Sequence, residues 1–171
     1  MTRSQLYPMP EYFDRYINLA DDVPVLKALK ISLDELKNAP IELWKSVDNK
    51  VYAPGKWTIK DILQHLIDTE RVFAYRALSF ARGEREVKPF DEELYGQNAQ
   101  TSRRSFESLL QEAITLREST IQLFESFTEE MMDKTGQSFK GEYSVRSIGY
   151  IFAGHHRWHM NVINERYLPL I

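Results

Sequence analysis

The seven glycines and seven prolines of this 171-residue chain leave long stretches in which apolar residues recur every three or four positions. That spacing gives an α-helix one apolar face and gives a strand none, so the chain is constrained to amphipathic helices that bury their stripes against one another. Leu26, Leu29, Leu33 and Leu36 mark the first stretch, with Asp22 placed to cap it ahead of Val23-Pro24. Pro40 ends or kinks it, and Ile41–Trp44 reads as a short continuation. The second stretch is capped by Thr58, with Asp61 at the reciprocal position of a capping box, and runs to Arg82 before Gly83. The third begins at Ser102 or Ser105 and ends near Phe127, with Phe106, Leu109, Ala113, Leu116, Thr120 and Phe124 on one side. The fourth starts after Ser144 and ends before Pro169, and a short helix over Glu11–Leu19 precedes them all. An all-α four-helix bundle forming a single domain over residues 1–171 is the economical architecture. Gly83–Thr101 and Thr128–Tyr143 are its long connections: the first can act as a crossover between the second and third helices, and either has room for an irregular hairpin.

Charge narrows the partners. The 22 basic and 25 acidic residues leave a net charge of −3 with no basic block, so no nucleic-acid partner is expected. No apolar run approaches the roughly 20 residues of a membrane span, and the N-terminal residues lack a secretory apolar region. No membrane association is expected, and the cytoplasm is the expected compartment. The chain has no cysteine, so a bound metal must be held by nitrogen and oxygen.

The histidines carry the chemistry. With the fourth helix projected at ~100° per residue, Ile148, Ile151, Phe152, His155, His159, Val162 and Ile163 share one face, and Arg146, Tyr150, Arg157, Asn161 and Asn164 lie opposite. His155 and His159 are one turn apart inside that apolar stripe, where their rings can converge on one point. His65 flanks the core face of the second helix, which is centred on Ile59, Ile62, Leu66, Phe73 and Ala77, with Thr69, Val72 and Arg76 close by. A lone buried histidine is more often bonded to a nearby acceptor. Two buried together without a shared ligand are costly. Three imidazoles from two facing helices suit a divalent ion, zinc or nickel first and Fe(II) or Mn next. Three protein ligands also leave coordination positions open. His156 is expected at the surface. Because that position is not glutamate, the motif is not the His-Glu-x-x-His of zinc proteases.

Arg76 and Arg117 project toward apolar faces, where a guanidinium must be paired. Two readings stand: an internal ion pair with Asp68, Glu70 or the Asp91-Glu92-Glu93 segment, or a clamp for a substrate carboxylate. Asp91 and Glu92 are candidate bases, and Tyr75 and Tyr95 candidate pocket walls.

Together these residues resemble the DinB superfamily. The likeness rests on Gly55-Lys56-Trp57-Thr58-Ile59-Lys60-Asp61-Ile62-Leu63-Gln64-His65-Leu66, on Tyr75-Arg76-Ala77-Leu78-Ser79-Phe80-Ala81-Arg82-Gly83, and on Phe90-Asp91-Glu92. Leu116-Arg117, Ala153-Gly154-His155-His156-Arg157-Trp158-His159 and Glu165-Arg166-Tyr167-Leu168 complete it. The resemblance implies an up-down-down-up bundle, often a homodimer, with a divalent metal held by His65, His155 and His159. It also implies metal-dependent hydrolase or thiol-dependent S-transferase chemistry, in which the ion activates water or a low-molecular-weight thiol against a small-molecule substrate. The residue after the first motif histidine is commonly acidic in that family and is His156 here. The expectation from another class is a non-catalytic metal-binding or structural bundle.

Overall fold

The computed structural model describes residues 1–171 and contains four long helices with shorter elements between them. The elements are α1 (Asp14–Ile17), α2 (Val25–Lys37), α3 (Ile41–Val47), α4 (Ile59–Arg82), α5 (Glu92–Asn98), α6 (Phe106–Glu125), α7 (Glu129–Asp133), β1 (Thr135–Ser138), β2 (Gly141–Ser144) and α8 (Val145–Val162). A π-helical turn (Ile163–Tyr167) and a 3-10 turn (Leu168–Leu170) prolong α8.

Local chemistry sets most ends as expected. Thr58 N–H donates to Asp61 Oδ2 at 2.8 Å and Asp61 N–H donates to Thr58 Oγ1 at 3.2 Å, which closes the capping box of α4. Gly83 ends α4 in the left-handed region at φ 103°, where a side chain would be strained. Ser105 and Ser144 cap α6 and α8. Asp22 does not cap α2: Pro24 occupies that position, and Asp22 instead accepts from Ser4 N–H at 2.8 Å.

The bundle consists of α2, α4, α6 and α8. Packing joins α4 to α6, α2 to α6, α2 to α8 and α4 to α8, so α2 and α4, and likewise α6 and α8, stand diagonally. The buried apolar residues form two clusters, and these give the helix directions. Val25, Ala28 and Leu29 of α2 belong to one cluster and Leu36 to the other. In α4, Ile59–Ile67 lie in the second cluster and Phe73–Ala81 in the first, and α6 runs the same way from Phe106 to Phe124. In α8 the order reverts, from Ile148 in the first cluster to the following turn's Ile163 in the second. The topology is therefore up-down-down-up, and the segment between α4 and α6 crosses the length of the bundle, carrying α5 with it. Thr101, near its far end, donates from its hydroxyl to Asp61 and ties the crossover to the start of α4.

The strands pair antiparallel, with Gly136 opposite Tyr143. The start of the crossover adds to this hairpin: Gln137 N–H donates to Arg85 O at 2.7 Å, and Val87 N–H to Gln137 O at 3.1 Å.

Between the apolar clusters lies a belt of buried polar side chains: Ser32, His65, Thr69, Glu70, Arg117, Thr120, His155 and His156. It includes His65, His155 and Arg117 of the sequence candidates, and the half-buried His159 stands at its edge, one turn beyond His155.

The outer face of α8 differs from expectation. Arg146 and Tyr150 are 3% and 0% exposed, and His156, expected at the surface, is 4% exposed. A projection assumes one wet side, but α1 and α2 both pack on α8 and leave its first half none. Arg146 is bonded to Asp133 and Glu129, and Tyr150 donates to Val23 O at 2.9 Å. Arg157 pairs with Asp21 and Glu35.

Candidate metal centre

His65 on α4 and His155 and His159 on α8 meet in the belt. The Nε2 atoms of His65 and His155 are 3.2 Å apart, and those of His159 and His155 are 3.0 Å apart. All three histidines can offer nitrogens lying within 4.8 Å of one another. Nitrogens bound ~2.0–2.1 Å from one zinc sit roughly 2.9–3.4 Å apart at octahedral to tetrahedral angles, so the spacing fits a shared ion. Thr69 Oγ1 lies 3.4 Å from His65 Nδ1, a long contact through which the hydroxyl can accept the ring proton and leave Nε2 free.

Three features of the chain bring these rings together. The four-residue spacing stacks His155 on His159. Tyr167 donates to Trp57 O at 2.5 Å, and the Trp57 indole packs against His65 with ring centroids 4.9 Å apart. Gly154 lets α1 press onto α8: a Cβ there would sit 1.7 Å from Tyr16 O. The Tyr16 ring consequently lies edge-on to His155 at 4.9 Å.

Burial holds the imidazoles neutral. Desolvation lowers His65 to about 4 and His159 to about 3, the latter helped by the charges of His65 and His156. His155 is pushed well below the ordinary range, first by burial and then by its histidine neighbours and Arg117. His156 falls to about 3 through burial, then Arg117 and Arg157. Neutral nitrogens are the form a cation requires.

A pH dependence follows. In the unfolded chain these rings take up protons near pH 6.5, whereas in the folded chain they resist protonation down to pH 4 or below. The unfolded state therefore binds more protons below pH 6.5, and stability falls as pH falls through that window. Chelator-treated protein is expected to lose about 1 kcal/mol per such histidine between roughly pH 6.5 and pH 5.5. Urea unfolding checks this, and a flat profile from neutrality to that pH contradicts the neutral cluster.

Two cavities open onto the cluster. One of about 540 Å³ is walled by aromatic rings including Tyr12, Phe73 and Phe139, and reaches Thr69, Arg76 and His155. The other, about 290 Å³, is lined by all three clustered histidines together with Trp57 and Trp158. Tyr16, Glu92, Glu93 and His155 line both. Glu92 is raised above its ordinary value by partial burial, then by the charges of Glu93 and Asp91. Burial, then Tyr12 and Glu92, raises the Tyr16 phenol to about 12.

The other sequence candidates separate. Asp91 lines the larger cavity but also caps α5, accepting from Leu94 N–H at 3.0 Å. Arg117 is the internal ion pair: its Nε and Nη2 meet the two oxygens of Glu70 at 2.9 and 3.0 Å. With its third nitrogen donating to Ser32 Oγ at 2.6 Å, Arg117 is no substrate clamp. Arg76 forms no ion pair: it donates to Tyr143 Oη at 3.1 Å and to Lys88 O at 3.4 Å. Tyr75 and Tyr95 wall neither cavity; they are 58% and 45% exposed. Tyr12 and Tyr16 were not singled out. Their four-residue spacing within the helix expected over Glu11–Leu19 was the available signal, but one helical turn carries little periodicity.

The sequence model of the DinB superfamily matches residues 14–163. No curated protein sequence matches significantly. Among solved structures, the chain resembles YfiT from Bacillus subtilis with a TM-score of 0.70 and 16% identity, covering 96% of this chain and 91% of that one. YfiT is described as a probable metal-dependent hydrolase with an unusual four-helix bundle topology. At that identity the likeness speaks for the fold, whereas the family match spans most of the sequence, and the chain belongs to the DinB superfamily.

Proposed function

We propose that this protein is a divalent-metal-dependent enzyme of hydrolase or thiol S-transferase type, with His65, His155 and His159 holding the ion through Nε2. One observation carries the reading: three neutral imidazole nitrogens, two pairs of them 3.0–3.2 Å apart, converge beside cavities large enough for a small molecule. Lone pairs so close repel unless a proton or a cation lies among them, and no carboxylate is bonded to these nitrogens to compensate. All-nitrogen donors suit zinc or nickel. The ion would supply Lewis-acid activation of water or of a thiol, and a cosubstrate thiol suits a chain that has no cysteine of its own.

The protein's own groups have defined tasks in this reading. Thr69 holds the His65 tautomer. Trp57, Tyr16 and Trp158 cover the rings and limit water. Glu92, at the junction of the cavities, accepts the proton released by the nucleophile.

The test has two steps. Protein purified without chelator is analysed for metal, and about one divalent ion per chain is expected. Turnover of a nitrophenyl ester, and of a chlorodinitrobenzene with and without an added low-molecular-weight thiol, is then compared before and after chelation. Turnover that chelation abolishes supports the proposal and assigns the hydrolase or the transferase branch. Turnover indifferent to chelation, or bound metal with no turnover of either probe, overturns it, and the latter favours a non-catalytic metal-binding bundle.

A further inference from the structure

Three arginines are almost wholly buried, and they are not alike. Arg117, 3% exposed, is held by Glu70 through two parallel hydrogen bonds. Arg146, also 3% exposed, has Asp133 and Glu129. Arg76, 1% exposed, has no carboxylate: its hydrogen-bond partners are one phenol and one peptide carbonyl, and its buried Nε–H has none. The Phe73 ring, 4.4 Å from the guanidinium carbon, offers cation–π attraction, but a ring face does not take up a directed N–H. A cation left this way inside a protein carries a large desolvation cost that a structural role does not require. Desolvation lowers the pKa of Arg76 as well, although Tyr143 opposes the shift.

Its location indicates what completes it. Arg76 lines the aromatic-walled cavity of about 540 Å³ whose other end reaches Thr69 and His155. On α4, His65, Thr69 and Arg76 lie on one buried side, and eleven residues separate the first from the last, a rise of roughly 16 Å. Helical side chains lean back toward the N-terminus, so the guanidinium reaches from its own turn toward the histidines. The hairpin fixes it there, because β2 presents Tyr143 and the paired crossover presents Lys88 O.

We propose that Arg76 is the anion subsite of this cavity and that the substrate carries a carboxylate on an apolar, ring-sized body. The carboxylate docks on the Arg76 guanidinium, whose unpaired Nε–H turns toward it from the buried position it holds in the free protein, the body lies among Tyr12, Phe73 and Phe139, and the reacting end points toward the histidine cluster. Asp91, Glu92 and Glu93 also line this cavity, so a second negative charge on the ligand is disfavoured and a monocarboxylate is selected. This assignment deepens the metalloenzyme reading and rests on it for its catalytic meaning, but carboxylate binding itself needs only Arg76 and the cavity.

The test is equilibrium binding of phenylacetate and of its neutral analogue phenylacetamide to the full chain, metal-loaded and chelator-treated. The acid is expected to bind more tightly than the amide in both forms, and Arg76→Met is expected to weaken acid binding by roughly ten- to hundredfold and amide binding by only a few-fold. Thermal unfolding of Arg76→Met should show a Tm equal to or above that of the unsubstituted chain, since an apolar side chain replaces an uncompensated charge. A lowered Tm with unchanged acid binding makes Arg76 a structural hairpin tie and overturns the proposal. So does equal affinity for acid and amide. Should the variant not fold, the arginine side-chain N–H NMR signals of the unsubstituted chain decide: an Arg76 Nε–H resonance that phenylacetate does not move overturns it as well. A chain that takes up no metal but still prefers the acid removes the metalloenzyme reading and leaves the subsite standing. A chain that takes up metal without that preference does the reverse.

Discussion

Replacing His155 with alanine is expected to lower affinity for zinc by at least about a hundredfold while leaving a folded bundle. His155 is the middle member of the cluster, with its Nε2 next to that of both His65 and His159. Its loss leaves nitrogens from two different helices without the atom that bridges them. The metal-free variant has a void where the ring stood, but it also sheds a desolvated imidazole and a lone-pair repulsion, so these effects partly offset. The contrast appears when zinc is added. An ion at 1,000 times its dissociation constant stabilises the folded state by about 4 kcal/mol. For a domain of this size that corresponds to a rise in Tm of roughly 8–16 °C. The unsubstituted chain should show such a rise and His155→Ala should show little of it. His156→Gln is the control: that ring is equally buried and adjacent in sequence but is not among the three clustered histidines, so its zinc-dependent rise should persist. Equal rises for His155→Ala and the unsubstituted chain would remove His155 from the ligand set.

The parts of the fold that were legible in the sequence are those governed by local chemistry. Thr58 and Asp61 sit three residues apart because the first free amides of α4 need acceptors, and Gly83 stands where the chain must turn left-handed. The His-x-x-x-His spacing carries the same kind of information, since one helical turn is all it takes to stack two rings. His65 was harder, because its meeting with His155 depends on the register of α4 against α8, which nothing within either helix specifies. Long-range cover was not legible at all. Arg146 and Tyr150 lie on the polar side of a projection and His156 was expected at the surface, yet all three are buried because α1 and α2 pack on α8 and acids from other segments reach the arginine. Nor could a projection separate Arg76 from Arg117. Both lie on apolar faces, and only the tertiary fold places Glu70 opposite one and an open cavity beside the other.

The register that brings His65 to His155 has an identifiable device, and removing it should produce the largest loss of stability. Arg117 of α6 forks onto Glu70 of α4, donates to Ser32 of α2, and makes a longer 3.4 Å bond to the Phe152 carbonyl of α8. A single guanidinium thus ties all four bundle helices at one level, next to the histidines on both α4 and α8. Glu70→Ala strands that cation among apolar side chains and is expected to cost about 3–5 kcal/mol. That cost lowers Tm by roughly 6–20 °C in a domain of this size. Arg117→Met should cost a similar amount, because it strands the carboxylate instead. The combination Glu70→Leu with Arg117→Met should recover most of the loss, because it removes both desolvated charges and fills their space. Stability alone does not establish the positioning role; metal affinity does. If the pair sets the register of α4 against α8, the double variant regains its Tm yet binds zinc more weakly than the unsubstituted chain. A double variant that regains both shows that helix packing places the histidines without help from the ion pair. A Glu70→Ala variant within about 1 kcal/mol of the unsubstituted chain shows that the pair is not holding the bundle at all.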